Sequence, residues 1–290
     1  MQALRAHAGR GEVRVDVFRL IALTALGCFA VFYLWVILLG GGPPGGDFDR
    51  AWAGALRLRA GEALYTNVGD VRQFYTWAPW LAWLYLPFTY LPKAPMAVAW
   101  FVACLVGWAV SLWPARRSPG VLLLIGPLTF FAVWSANVQP LMTAALVLGV
   151  PRRWGPLAVG AAASLKVSPI LLVLPWVMAR DWMKVAMALA VSLILGVPAL
   201  FSGIEHYPFD LDPELSLRGV SPILFAAVGA AAVLLAITLG KGRFRWWAAA
   251  LSVIASRPSL VLYDVGYLLV GLSDSGSAGR GEPAHWRYRV

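Results

Sequence analysis

Charge is what this sequence has least of. Only 13% of its 290 residues are charged, while 60% are hydrophobic. A water-soluble domain carries about 25% charged residues, so this chain cannot cover a water-facing surface of its size. Cysteine is nearly absent, and Cys28 and Cys104 both lie inside apolar runs. That placement suits neither a disulfide framework nor a zinc motif and marks them as core residues. His7, His206 and His285 have no ligand spacing, so no metal site is expected. A Gly-rich phosphate loop and a Ser/His/Asp arrangement are missing too, which leaves nucleotide chemistry of the soluble type without support. Together these absences exclude a soluble enzyme, a secreted disulfide scaffold and a disordered chain.

What is present is a series of long uncharged runs. Residues 20–40, 94–115, 185–204 and 219–240 each reach the ~20 residues that a membrane-crossing helix needs. The 118–151 stretch is long enough for two passes. The fold expected is an all-α polytopic membrane protein of about 10 transmembrane helices. No cleaved signal peptide is expected, because the first run exceeds a normal h-region and continues into Gly-Gly-Pro-Pro-Gly-Gly.

The net charge of +10 comes in short basic clusters between these runs, a topology pattern rather than a nucleic-acid patch. The clusters are Arg5 to Arg19, Arg116/Arg117, Arg152/Arg153, Arg180/Lys184, Lys241/Arg243/Arg245 and Arg280 to Arg289. If each polar interruption between them is a turn on the far side, 16 of the 24 Lys and Arg residues share one face. Both termini are then cytoplasmic, and 273–290 is a polar cytoplasmic tail of a single 1–272 domain. The loops at 41–75 and 202–218 fall outside. The run 75–92, rich in Pro and Trp, reads as a re-entrant or interfacial segment, with a true crossing as the alternative. Helices at 155–165 and 167–179 would rise only ~16–20 Å against a core of ~30 Å, which leaves a cavity open to the outer side.

Charges near hydrocarbon depth usually serve a function. Lys166 is the clearest case, with a snorkelling helix end as its plain alternative. Arg218 and Arg257 are further outer cations, and three of them suggest an anionic ligand such as a lipid phosphate. Asp47 and Asp49 follow the first crossing. Asp47 could accept a proton from a hydroxyl nucleophile or simply cap a helix over 48–60. Asp264 sits inside the last apolar stretch and must face the interior or water.

The order of these elements resembles glycosyltransferase family 87, polytopic GT-C enzymes that use polyprenyl-phosphate sugars. The resemblance rests on Asp47-Phe48, on Gly61-Glu62-Ala63-Leu64-Tyr65, and on the aromatic-Pro segment from Tyr75 to Pro92. It continues through Ala136-Asn137-Val138-Gln139, which is similar to a Gly-Gln-x-Asn turn with the glycine lost and the carboxamides exchanged. Leu165-Lys166-Val167-Ser168-Pro169, Ser216-Leu217-Arg218-Gly219 and Pro258 through Tyr263-Asp264 complete it. The chain is short for that family, by a last helix or two.

The resemblance implies a GT-C-like bundle that moves a hexose, mannose being the one expected, from a polyprenyl-phosphate donor to a lipid or glycan acceptor. The transfer would take place on the outer side of the cell membrane. It carries the role of base to Asp47, with Asp49 as second choice. Lys166, Arg218 and Arg257 become donor-phosphate ligands, and Asn137, Gln139, Tyr65 and Asp264 become substrate contacts. Neither a cofactor nor a metal is demanded. Two other readings stay open: a transporter or flippase of a lipid-linked sugar, and a diverged non-catalytic membrane subunit.

Overall fold

The computed structural model of the chain describes residues 27, 46–65, 75–203, 218, 221–257 and 262–278. Among them the regular structure is entirely helical, with no strand. Eleven α-helices are delimited: α1 (Gly46–Ala60), α2 (Pro79–Tyr85), α3 (Lys93–Leu112), α4 (Pro119–Trp134), α5 (Gln139–Gly149), α6 (Gly155–Leu165), α7 (Leu174–Met178), α8 (Trp182–Gly196), α9 (Pro222–Thr238), α10 (Arg245–Ala255) and α11 (Leu268–Ala278). Proline stands in the first turn of α2, α4, α5, α6, α7 and α9. There its missing N–H costs nothing and its fixed φ favours the helix.

Two helical segments are long and apolar enough to cross a membrane. They are Lys93–Arg116, formed by α3 and the 3₁₀ turn after it, and Trp182–Phe201, formed by α8 and its 3₁₀ extension. Only 11% of the apolar window of the second is buried inside the protein, so its Leu193, Ile194, Leu200 and Phe201 face outward. Helices α4, α5, α6 and α9 are apolar but shorter.

Helix packing depends on small residues. Helix α6 packs against α8 and α3 against α5. A Cβ on Gly160 would lie 2.6 Å from the Ala188 carbonyl oxygen, and one on Gly107 would lie 3.0 Å from the Leu141 nitrogen. Such close backbone approach is how helices associate where no hydrophobic drive separates them from lipid.

The expected run 118–151 is indeed two helices, α4 and α5, and the helix at 155–165 is α6. One expectation is corrected. The 167–179 helix is a 3₁₀ segment, Ser168–Val173, followed by α7. Pro169 and Pro175 lack the N–H groups that a continuous α-helix would need there. The 75–92 run breaks into α2 and the 3₁₀ turn Leu86–Tyr90. At ~1.5 and ~2.0 Å per residue these rise about 20 Å together, too little for a crossing. Helix α11 runs on to Ala278, into the stretch read as a polar tail. The 20–40 run and nearly all of the 202–218 loop lie outside the described residues.

Chain direction alternates between two ends of the bundle. The turns at 135–138 and 166–167 meet at one end with Arg257 and Asp264, beside the start of α1. The turns at 150–154, 179–181 and 239–244 lie at the other, where Gly240 packs on Met178 and Trp176 meets Trp246 at 5.5 Å.

Gly160→Ala should therefore cost about 1–3 kcal/mol by overpacking, read as a lower melting temperature in detergent. Gly120→Ala, with open space around its Cβ position, should leave the melting temperature unchanged or raise it.

Candidate active site

The site is built on a helix end. Helix α4 closes at Ser135, after which the Asn137 N–H donates to the Ala132 carbonyl at 2.8 Å and the Ala136 N–H to Val133 at 2.9 Å. These are the two bonds of a Schellman motif, which puts its next residue in the left-handed region. That residue is Ala136, with φ of 53°. Glycine is usual at this position. The strained corner is held from three sides. The Asp47 N–H donates to the Ser135 carbonyl at 3.3 Å, and the Trp100 indole N–H to Ala136 at 2.9 Å. The Cys104 thiol donates to the Asn137 carbonyl at 3.2 Å.

From this corner a chain of hydrogen bonds runs through the sequence candidates. The Asn137 side-chain Nδ2 donates to Asp47 Oδ2 at 2.7 Å, and its Oδ1 accepts from the Gln139 N–H at 2.8 Å. Lys166 Nζ donates to Gln139 Oε1 at 2.9 Å and lies 4.8 Å above the Tyr263 ring. That cation–π contact is worth about 0.5–2 kcal/mol. Next to Tyr263, Asp264 is fully buried and pairs with Arg257, Oδ2 to Nε, at 3.1 Å. Asp47, Asn137, Gln139, Lys166, Arg257 and Asp264 thus form one cluster.

Burial sorts these residues by what they can do. Asp264, Asn137 and Gln139 are buried, and their polar groups are engaged with one another and with the charged residues. They position Asp47, Lys166 and Arg257 rather than offering free contacts. The Asp47 side chain keeps 17% exposure and is also 3.5 Å from Arg50, a neighbour that sequence reasoning overlooked. Asp47 is the carboxylate at the mouth. It does not cap α1 as expected from a helix over 48–60, because α1 is already regular at Gly46 and its carboxylate faces Asn137. Asp49 is exposed and pairs with Lys93 at 2.8 Å.

Two candidates stand apart. The Tyr65 hydroxyl donates to the Trp77 carbonyl at 2.7 Å and is buried, so it fastens the segment after α1. Nearby, Arg57 is buried against the Leu64 carbonyl. Burial lowers its pKa, and the Glu62 carboxylate partly offsets this. Arg218 is exposed and makes no bond to the cluster among the described residues. Trp100 and Cys104 carry no signal in the sequence beyond an ordinary apolar helix face.

Beneath Gln139 the polar track continues. Gln139 Nε2 reaches Thr143 Oγ1 at 3.4 Å, beside a small cavity lined by Ser111, Thr129, Gln139, Thr143 and Tyr263. Among the described residues no three His, Cys, Asp or Glu side chains converge on a metal position.

No family model matches the chain, and neither curated proteins nor solved structures yield a match.

The left-handed corner can be tested by itself. Ala136→Gly relieves about 1–2 kcal/mol of left-handed strain against about 1 kcal/mol of added chain entropy, so stability should stay within about 1 kcal/mol. Ala136→Val forces a β-branched residue into that region and should lower the melting temperature sharply.

Proposed function

We propose that this protein is a multi-pass membrane glycosyltransferase, with a GT-C-like bundle and both termini cytoplasmic. It moves a hexose from a polyprenyl-phosphate donor to an acceptor on the outer side of the membrane. The observation that carries the reading is the continuous link from a partly exposed carboxylate to a half-buried cation, Asp47 through Asn137 and Gln139 to Lys166. Family-like sequence elements far apart in the chain meet in that link.

In this mechanism the acceptor hydroxyl gives its proton to Asp47 while its oxygen attacks the anomeric carbon. The bond from that carbon to the phosphate oxygen breaks, the electron pair leaves with the phosphate, and the configuration inverts. Lys166 and Arg257 stabilise the developing anion. Because both are already fixed, by Gln139 and Asp264 respectively, little reorganisation accompanies charge transfer. The cations Arg50, Lys166 and Arg257 outnumber Asp47 and Asp264, which leaves a net positive site for an anionic leaving group.

Purified protein in detergent, where transport has no meaning, should form product from a polyprenyl-phosphate hexose. Donor binding without product is what a flippase or a non-catalytic subunit would show, and it would end the enzyme reading. Asp47→Asn keeps a partner for Asn137 but no base, so turnover should fall about 10²–10⁴-fold at unchanged expression. Asp49→Asn should remain near wild type. Loss of activity in Asp49→Asn alone would move the base to that residue.

A further inference from the structure

At the end of the bundle away from the candidate site, two basic turns lie side by side. The turn between α7 and α8 carries Arg180 and Asp181, with Lys184 in the first turn of α8, and the turn between α9 and α10 carries Lys241 and Arg243, with Arg245 opening α10. The two turns are brought together by the packing of Gly240 on Met178, where a Cβ would come within 2.5 Å of Cγ. Of six charged groups only Asp181 is acidic, and it is taken up by Lys184 at 2.6 Å and by capping α8 through the Lys184 N–H. Arg180, Lys241 and Arg243 are exposed, with no acidic partner among the described residues.

Arg180 is also in an unusual place. Its N–H donates to Val177 and the Asp181 N–H to Trp176 at 2.9 Å, the Schellman pattern again. Arg180 occupies the left-handed position with φ of 57°, where glycine is favoured. A cation is kept there despite the strain. Around the turns the surface is apolar: Trp182 and Met183 are exposed, and Phe244 is half exposed beneath Arg243 at 4.6 Å. Helix α7, which leads into the first of these turns, touches both α8 and α9. Those two helices turn mostly apolar, exposed surface outward.

Unpaired cations above two outward apolar helix faces match an anionic phospholipid, with its headgroup at the turns and its acyl chains along the helices. We propose that Arg180, Lys241 and Arg243 form a binding site for an anionic bilayer phospholipid, at the end of the bundle opposite the Asp47 cluster. The proposal rests on the membrane reading but not on glycosyl transfer.

The full chain would be placed in phosphatidylcholine nanodiscs doped with spin-labelled phosphatidylglycerol or spin-labelled phosphatidylcholine. The immobilised fraction should favour phosphatidylglycerol. Arg180→Gly keeps the left-handed corner while removing the cation, and should reduce the preference about fivefold. The triple variant Arg180→Gly, Lys241→Gln, Arg243→Gln should abolish it. Arg152→Gln with Arg153→Gln, on another turn at the same end, should keep it. Equal immobilisation of the two labels in the wild type would overturn the proposal, as would a preference that survives the triple variant. Abolition of the preference by inorganic phosphate at constant ionic strength would assign the cations to free phosphate instead. Failure of the chain to enter nanodiscs would remove both this site and the membrane reading, whereas loss of glycosyl transfer alone touches neither.

Discussion

Buried helix ends impose the main constraint on this molecule. Each terminus leaves backbone groups without partners inside its own helix, and in apolar surroundings water cannot supply them. At the end of α4 the carbonyls of Ser135, Ala136 and Asn137 take donors from α1 and α3. Those same bonds bring the first turn of α1 against the start of α5. The meeting of Asp47 with Asn137 follows directly. Once Asn137 is fixed, Gln139 is fixed through its own N–H, and Lys166 finds the Gln139 oxygen. The polar cluster grows outward from a requirement to satisfy backbone groups.

Much of this was legible in the sequence, for one physical reason. Charged and amide groups are costly in apolar surroundings, so residues that stand alone in uncharged runs tend to seek one another. Lys166 and Asp264 stood out by that measure, Asp47 by its place after the first apolar run, and Asn137 and Gln139 by the polar turn they share. The donors that hold the corner did not. Trp100 and Cys104 look like any residues of an apolar helix, and their N–H and S–H groups acquire a role only through the position of two carbonyls. Arg50 was hidden because an Arg three residues after an Asp is an ordinary surface pair on a helix. Tyr65 and Arg218 were drawn in by neighbouring sequence rather than by their own surroundings. Tyr65 spends its hydroxyl on Trp77, and Arg218 is exposed.

Element boundaries were less legible than element existence. The apolar runs located α3, α4, α5, α6, α8 and α9, but proline decided how the 75–92 and 167–179 runs divide. Pro87 lies in the 3₁₀ turn after α2, while Pro175 lies in the first turn of α7. Hydropathy is blind to that effect, since proline interrupts the hydrogen-bond ladder without adding charge.

The left-handed residues show where the chain tolerates strain. Helices α1, α4 and α7 end in the same motif, yet only α1 uses glycine, Gly61 with φ of 73°. At α4 the residue is Ala136, whose methyl group is buried. At α7 it is Arg180, whose side chain is exposed. A side chain that costs about 1–2 kcal/mol in backbone strain must return something that hydrogen removes. For Ala136 the return is a packed methyl group at the end that carries Asp47. For Arg180 it is a charge set at the opposite end, beside Lys241 and Arg243. The two sites therefore share one backbone device, and differ in what replaces the glycine.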